Sequence, residues 1–291
     1  MDDAFSWLVL SGLRHGARRK QFSIPALHTA LAADIRRGVK RMGFPSLVVV
    51  AGDIAEQGKE TDYRAAGDFV RWLQDLLEPG VGVVCVPGPR DRTPSRYRPR
   101  TTTGLTPRES EADGPEAARL RRACPHYARF QHEVSFSVSS NLGRTAHFGN
   151  VTDAGDWTAT VRTASMNIGF LGISGVDCWS GPGRETPADP SDVARSLGFL
   201  LEGCDLVVTV QHQSATDLVR RALDEQEQGR ERVLFLEALD RGAARVVKAE
   251  GNAGPLVRLP VFPLVPHPES SPEPGYLWMR AARKGRGVGV D

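Results

Sequence analysis

Short apolar runs alternate with longer amphipathic segments over the first ninety residues of this 291-residue chain. Residues 47–51 and 82–86 are continuous apolar runs, and residues 6–11 hold a shorter run between two serines; such runs indicate strands buried on both faces of a sheet. Residues 24–42 and 61–77 instead repeat apolar side chains three and four positions apart, as one face of a helix requires. The order strand, helix, strand, helix, strand predicts a parallel sheet with helices on its faces, and therefore an α/β fold.

The rest of the chain continues in the same style. Further strands are predicted at residues 156–162, 166–173, 206–210, 233–236, 243–248, 256–261 and 276–281. Helices are predicted at residues 189–201 and 214–227. We expect the last four strands to complete a second sheet.

Two segments depart from this pattern within what we interpret as a single domain of residues 1–291. Residues 92–122 begin with arginines spaced by Pro, Ser and Thr and continue with acidic residues, which predicts a mobile loop. This loop would either hold phosphate or nucleic acid, or be solvated and neutralise its own charge. Residues 283–291 are predicted to be a frayed tail or a linker.

Candidate chemistry begins at Asp53, which follows the 47–51 strand directly, after Gly52. Open α/β sheets place ligands at the carboxyl ends of their strands, so this carboxylate is a candidate metal-site or phosphate-site group. The alternative is an Asp that merely caps the next helix, although Thr61 is itself a plausible N-cap.

Composition excludes several classes of protein. Lys and Arg number 37 against 35 Asp and Glu, a net charge of +2 that argues against a nucleic-acid partner. The four cysteines are scattered and show no metal-binding or disulfide spacing, which favours a reduced, cytoplasmic setting. No apolar run approaches the roughly 18 residues of a spanning helix, so we expect no membrane partner.

The loops after the first three strands resemble those of the calcineurin-like metallophosphoesterases, which read D-x-H, G-D-x-x-x-x-G and G-N-H-[DE]. Residues 52–58 match the second motif, and the strand leading to His212 resembles the one that delivers a lone metal-binding His. Residues 233–241 lie where the family has G-H-x-H. The resemblance implies a four-layer α/β/β/α sandwich of two mixed sheets and a site for two divalent metal ions.

Most positions of that metal site carry other residues here. The positions that correspond to the family's pocket are Gly12, Arg14, Asp53, Pro89, Arg90, His212, Ala238 and Asp240. Among them, only Asp53, His212 and Asp240 are candidate metal ligands, because a guanidinium group has donors alone and stays protonated. Each ion of a two-metal site would keep two of its protein ligands, which predicts the loss of tight binding.

The two arginines suggest a replacement for the metal ions. Arg14 and Arg90 follow the strands on either side of the Asp53 strand, so we predict that Asp53 pairs with one of them in place of a cation. The alternative is that both arginines turn to solvent. His15, one residue beyond the expected ligand position, is interpreted as a loop histidine.

Three functions remain open from the sequence. The first is a catalytically impaired metallophosphoesterase-fold protein, without a cofactor, that acts as a scaffold, sensor or interaction domain for a protein partner or fused domain. It would suit the N-terminal module of a larger bacterial signalling or defence protein. The second is a residual phosphoesterase that uses Mn, Fe, Zn or Ni. The third binds a phosphate or nucleotide ligand, or nucleic acid, through Arg14, Arg90 and the basic 92–122 loop without hydrolysis.

Overall fold

The computed structural model describes residues 4–16, 24–77, 81–93, 124–141, 146–148, 156–174, 190–212, 216–226, 229–238, 247–251, 254–261, 263–264, 276–284 and 287–290. In chain order the elements are β1 (Ala4–Leu10), α1 (Ile24–Met42), β2 (Leu47–Ala51), α2 (Glu60–Leu76), β3 (Gly82–Val86), α3 (Pro125–Asn141), β4 (Ala146–Phe148), β5 (Trp157–Arg162), β6 (Asn167–Ile173), α4 (Pro190–Gly203), β7 (Leu206–His212), α5 (Thr216–Asp224), β8 (Val233–Ala238), β9 (Val247–Gly251), β10 (Gly254–Val261), β11 (Leu277–Lys284) and β12 (Gly287–Val290). Short 3₁₀ turns at Pro89–Asp91 and Arg230–Arg232 follow β3 and precede β8.

The strands form two mixed sheets. The first has the order β12-β11-β1-β2-β3, in which β1, β2 and β3 are parallel and β11 runs antiparallel to β1. The second has the order β4-β5-β6-β7-β8-β10-β9, with β6, β7, β8 and β10 parallel. The parallel strands of each sheet present their carboxyl ends on the same side, which is where α/β proteins place their sites.

Three apolar cores define four layers. One core joins the outer face of the first sheet to α1, α2 and α3, and another joins the outer face of the second sheet to α4 and α5. The third lies between the sheets, with Trp7 against Phe170 at its centre, at a ring-centroid distance of 5.7 Å. The predicted α/β/β/α sandwich of two mixed sheets is confirmed.

Two predictions about the carboxyl-terminal region were wrong. The strand predicted at residues 276–281 in the second sheet corresponds to β11, whose residues 277–282 pair with β1 in the first sheet. Residues 283–291, predicted as a frayed tail or linker, include the end of β11 and all of β12, which pairs antiparallel with β11. The physical reason is that Val288 and Val290 of β12 pack against the core between the sheets.

Smaller corrections concern element ends and the predicted mobile loop. α2 begins at Glu60 after N-cap Lys59, so Thr61 is not the cap; the backbone N–H of Lys59 donates to Asp62 Oδ2 at 3.4 Å. At the start of the predicted 92–122 loop, Thr93 is buried and its hydroxyl donates to the Gly58 carbonyl at 2.8 Å. Residues 94–122 lie outside the described residues. Within the described part of the chain, no helix is both long and apolar enough to cross a bilayer.

Candidate functional site: the pocket around Asp53

The site is built on the loops that follow β1, β2 and β3. The loop after β1 runs beside the loop after β2, with Gly12, Arg14 and His15 N–H groups donating to the carbonyls of Gly52, Asp53 and Ile54 at 3.1, 2.9 and 2.9 Å. This backbone ladder continues the pairing of β1 with β2 beyond the sheet. Because these bonds join backbone atoms, they hold residue 14 beside residue 53 independently of the side chains at the two positions.

The Asp53 carboxylate lies near three basic side chains and one backbone N–H group. Its Oδ2 is 3.4 Å from Arg90 Nε, 3.8 Å from Arg14 Nη2 and 3.9 Å from His212 Nε2. Its Oδ1 accepts a hydrogen bond from the Arg90 backbone N–H at 3.2 Å. The predicted contact between Asp53 and an arginine is therefore present, and it is made to both arginines.

The two arginines differ in exposure and in charge balance. The Arg14 side chain is fully buried, whereas a quarter of the Arg90 side chain reaches solvent. Arg90 Nη1 also donates to Glu56 Oε1 at 3.0 Å. Two guanidinium groups thus face two carboxylates, Asp53 and Glu56, so the network is formally neutral.

Asp53 and Arg14 share an unusual backbone conformation. Their φ angles of 51° and 48° make them the two residues other than glycine with positive φ in the described part of the chain. Such left-handed conformations cost roughly 1 kcal/mol or more each and persist when the surroundings over-determine them. Here the hydrogen bond from Arg14 N to Asp53 O, 2.9 Å long, joins the two strained residues directly.

Asp91 is a site residue that the sequence analysis missed. It is fully buried, and its carboxylate accepts hydrogen bonds from the backbone N–H groups of Ile54, Ala55 and Gly88 at 3.2, 2.8 and 2.8 Å, and from the Tyr63 hydroxyl at 2.8 Å. Burial, reinforced by the charge of nearby Asp53, raises the pKa of Asp91 to about 7. The sequence signal was present, because Asp91 occupies the acidic fourth position of G-N-H-[DE].

The position of the family's first aspartate is sterically closed. Gly12 has φ +55°, and a Cβ added there would lie 2.4 Å from Cβ of Pro263. Pro263 is held in place by a parallel bridge to Ser11 and by the hydrogen bond from Leu264 N to Ser11 O, 2.7 Å long. Position 12 therefore cannot carry a metal-binding side chain unless the Pro263 segment moves.

The other predicted positions fall in three different places. Ala238 ends β8, is buried, and lies in register with His212, so the strand does reach the pocket edge. Asp240 lies outside the described residues. His15 is turned away from the site, with its ring 5.4 Å from the Phe69 ring, and burial lowers its pKa to about 4.

The donors present do not fit a two-metal centre. Pro89 and Gly12 offer no side-chain ligand, and Arg14 and Arg90 offer only hydrogen-bond donors. The guanidinium groups moreover stand within 4 Å of the same Asp53 oxygen that a bridging carboxylate would present to metal. Across the described ranges, no three His, Cys, Asp or Glu side chains form a group that could hold a metal ion.

No protein-family model matches the chain, and no curated protein matches it. Among solved structures, GAP50, the anchor in the inner membrane complex of Plasmodium, is similar at a TM-score of 0.51 and 11% identity, over 99% of this chain and 83% of that one. A dimetal phosphatase of Danio rerio has a TM-score of 0.49 and 11% identity, over 98% of this chain and 95% of that one. Sulfate thiohydrolase SoxB of Thermus thermophilus has a TM-score of 0.47 and 14% identity, over 100% of this chain and 56% of that one. At these identities the similarity concerns the fold alone, and the predicted α/β sandwich of two mixed sheets is the fold observed.

Proposed function

We propose that this chain is a catalytically impaired protein of metallophosphoesterase-like fold that acts as a scaffold, sensor or interaction domain. The observation that carries the proposal is the surroundings of Asp53 Oδ2, which lies 3.4 Å from Arg90 Nε and 3.8 Å from Arg14 Nη2. Two fixed positive charges beside the one retained bridging carboxylate leave it a counter-ion rather than a metal ligand.

Chemistry supports the same proposal. Hydrolysis in such sites needs water whose pKa is lowered by a metal ion held in a defined geometry. A buried guanidinium stays protonated, so it neither coordinates a cation nor accepts a proton from water. The third-loop histidine that assists the leaving group in the family is replaced by Arg90, which is committed to Asp53 and Glu56.

The test combines metal content with turnover. Purified protein is exposed to Mn²⁺, Ni²⁺ or Zn²⁺, its bound metal is measured by mass spectrometry, and hydrolysis of bis(p-nitrophenyl) phosphate is followed. We expect substoichiometric metal and a rate equal to that of Asp53→Asn. Glu60→Gln, which removes a surface carboxylate, is the matched control. Stoichiometric metal with turnover that disappears in Asp53→Asn alone would overturn the proposal.

A second candidate function is supported by one retained pair. His212, at the end of β7 in the second sheet, has its Nε2 3.9 Å from Oδ2 of Asp53, which follows β2 in the first sheet. An Asp and a His that correspond to metal ligands of the family therefore still lie side by side. With Asp240, they would provide for one divalent ion and a residual phosphoesterase. In that case the same experiment gives about one equivalent of metal, and His212→Ala removes metal and turnover together.

Phosphate or nucleotide binding without hydrolysis has weaker support. Arg14 offers no exposed side-chain surface, and the charges of Arg14 and Arg90 are matched by those of Asp53 and Glu56. An anion entering this network would have to displace a carboxylate that already faces the arginines. We therefore propose the interaction role ahead of the anion-binding one.

A further inference from the structure

A basic face lies on the last turns of α1, at the opposite end of the first sheet from the Asp53 pocket. It consists of Arg36, Arg37, Lys40 and Arg41, all of which are exposed. Members of the pairs 36/40 and 37/41 are one helical turn apart, so the four side chains share one side of the helix. The opposite side of α1 buries Leu31 and Ile35 in the core. The basic face therefore points to solvent.

Little negative charge offsets this face. Asp34 is the acidic residue of α1, and it accepts hydrogen bonds from Arg37 Nη2 at 2.7 Å and from the Tyr276 hydroxyl at 2.5 Å. Among the described residues, Arg36, Lys40 and Arg41 have no carboxylate within ion-pair distance. Cations at a helix C-terminus are favoured by the helix dipole, which accounts for Lys40 and Arg41. The helix dipole does not account for Arg36 or for the exposed Phe44.

Phe44 adds an apolar side chain beside the basic face. It is 48% exposed, one of two large apolar residues that the described surface presents in this way. Its backbone is held firmly, since its carbonyl accepts a hydrogen bond from Ser6 Oγ at 3.0 Å and the preceding Gly43 N–H donates to Val39 O at 2.9 Å. The ring is thus presented to solvent by a fixed turn and does not result from a frayed end.

We propose that this surface, Arg36, Arg37, Lys40, Arg41 and Phe44, docks the protein onto a lipid bilayer that carries anionic headgroups. Clusters of four or more Lys and Arg on one helix face attract such headgroups, and an adjacent aromatic ring suits the boundary between headgroups and acyl chains. The contact is peripheral, so it needs no spanning helix. It departs from the sequence-based expectation of no membrane partner and does not depend on the proposed function of the pocket.

The same residues favour an anionic lipid surface over a nucleic acid or an acidic protein as the partner. A nucleic acid would use the cations but gain little from a half-exposed phenylalanine, and the chain's net charge of +2 gives it no general attraction to a polyanion. An acidic protein would need a pocket shaped for Phe44. A fluid bilayer accepts the ring without a preformed pocket.

The experiment is co-sedimentation of the whole protein with vesicles of phosphatidylcholine, with and without phosphatidylserine. We expect binding to the phosphatidylserine vesicles alone, weakening as salt is raised because exposed charges are screened. Lys40→Glu/Arg41→Glu is expected to reduce the partition coefficient roughly tenfold or more. Arg64→Glu/Arg129→Glu makes the same change in net charge on other exposed helices and should bind nearly as the wild type does.

The aromatic contribution has its own matched pair. Phe44→Ala should lower the partition coefficient about fivefold, as expected for removing partly buried apolar area. Phe199→Ala removes the other exposed ring, 71% exposed on α4, and should have no effect. Circular dichroism and thermal unfolding establish that each variant is folded.

Several outcomes would overturn the proposal. One is no sedimentation with phosphatidylserine vesicles at low salt, and another is an equal loss for both charge-reversal pairs. Binding to a labelled oligonucleotide that exceeds vesicle binding and is unchanged in Phe44→Ala would replace lipid by nucleic acid. Asp53→Asn should leave vesicle binding intact. Failure of the lipid-docking proposal can therefore be distinguished from failure of the proposed function of the pocket.

Discussion

Replacing Asp53 by Asn tests whether its carboxylate serves as the counter-ion of the arginines. Asn has nearly the same shape and keeps an oxygen that can accept the Arg90 backbone N–H, which lies 3.2 Å from Asp53 Oδ1 in the wild type. The substitution removes the negative charge and little else. The two guanidinium groups, 3.4 and 3.8 Å from Asp53 Oδ2, then face a neutral amide.

The magnitude follows from burial. The side chains of Asp53 and Arg14 are 5% and 0% exposed, and removing one partner of a buried ion pair costs about 3–5 kcal/mol. Arg90 is 25% exposed and keeps Glu56, so its share is small. We expect the free energy of unfolding of Asp53→Asn to fall by about 3 kcal/mol, which lowers Tm by roughly 6–12 °C for a chain of this size.

The assay is urea and thermal unfolding of wild type and variant in EDTA, repeated with excess Mn²⁺ or Zn²⁺. Glu60→Gln is the matched control, because it removes a carboxylate 3.6 Å from Arg64 in an exposed pair. Such a surface pair contributes about 0–1 kcal/mol, so the control should unfold close to the wild type. Arg14→Met combined with Asp53→Asn should recover part of the loss, since it removes the uncompensated charge.

A metal-binding pocket would behave in the opposite way. Without metal, an aspartate that serves only as a ligand contributes little stability, so Asp53→Asn would be nearly neutral in EDTA. Added metal would then stabilise the wild type and not the variant, because ligand binding to the native state alone raises its stability. That combination would refute the counter-ion reasoning.

Three further predictions concern the loops around the pocket. Gly12→Ala should cost at least about 2 kcal/mol in urea unfolding, because φ is +55° and the new Cβ meets Pro263; Gly43→Ala, with φ +80° and open space, should cost only about 1 kcal/mol. Burial lowers the pKa of His15 from 6.5 to about 4, so the unfolded chain binds more protons between these pH values. The stability of wild type relative to His15→Phe should therefore rise by about 3 kcal/mol from pH 4 to pH 6.5. Burial raises the pKa of Asp91 from 3.8 to about 7, so the folded protein binds more protons in that window and wild type should lose stability relative to Asp91→Asn as the pH rises through it.

The local elements of the first half of the chain could be predicted because each carries its own periodicity. The predicted helix over residues 24–42 has the bounds of α1, and the predicted strands over residues 47–51 and 82–86 have those of β2 and β3. Both strands are buried throughout, which is why their sequences are uninterrupted runs of apolar residues.

Long-range pairing could not be predicted in the same way. β11 pairs with β1 from the far end of the chain, and nothing in the alternation of residues 277–284 tells which sheet receives it. β12 contains two glycines and no strand-length apolar run, so its pairing with β11 and its packing against the inter-sheet core make it a strand. α3 was missed because its apolar residues, such as Tyr127 and Phe130, follow a long polar segment.

The candidate site likewise has features that local sequence predicts and features that depend on distant segments. Arg14, Asp53 and Arg90 each closely follow one of three neighbouring parallel strands, so their convergence was predictable from strand order. Pro263 closes the space beside Gly12 from a distant segment of the chain, so this contact could not be predicted from the sequence. The role of Asp91 was not predictable from a metal-ligand pattern, because its carboxylate binds backbone N–H groups.

The role of Asp91 explains how the pocket keeps its shape with arginines in it. Its carboxylate joins the loop after β2 to the loop after β3, through N–H groups of Ile54, Ala55 and Gly88. Backbone hydrogen bonds join the loop after β1 to the loop after β2. None of these bonds requires a cation, so the three loops hold their positions through backbone hydrogen bonds and through the Asp91 carboxylate. Side chains at positions 14 and 90 are then free to change in chemistry without loss of the framework, and the charge that Asp53 needs is supplied by arginine.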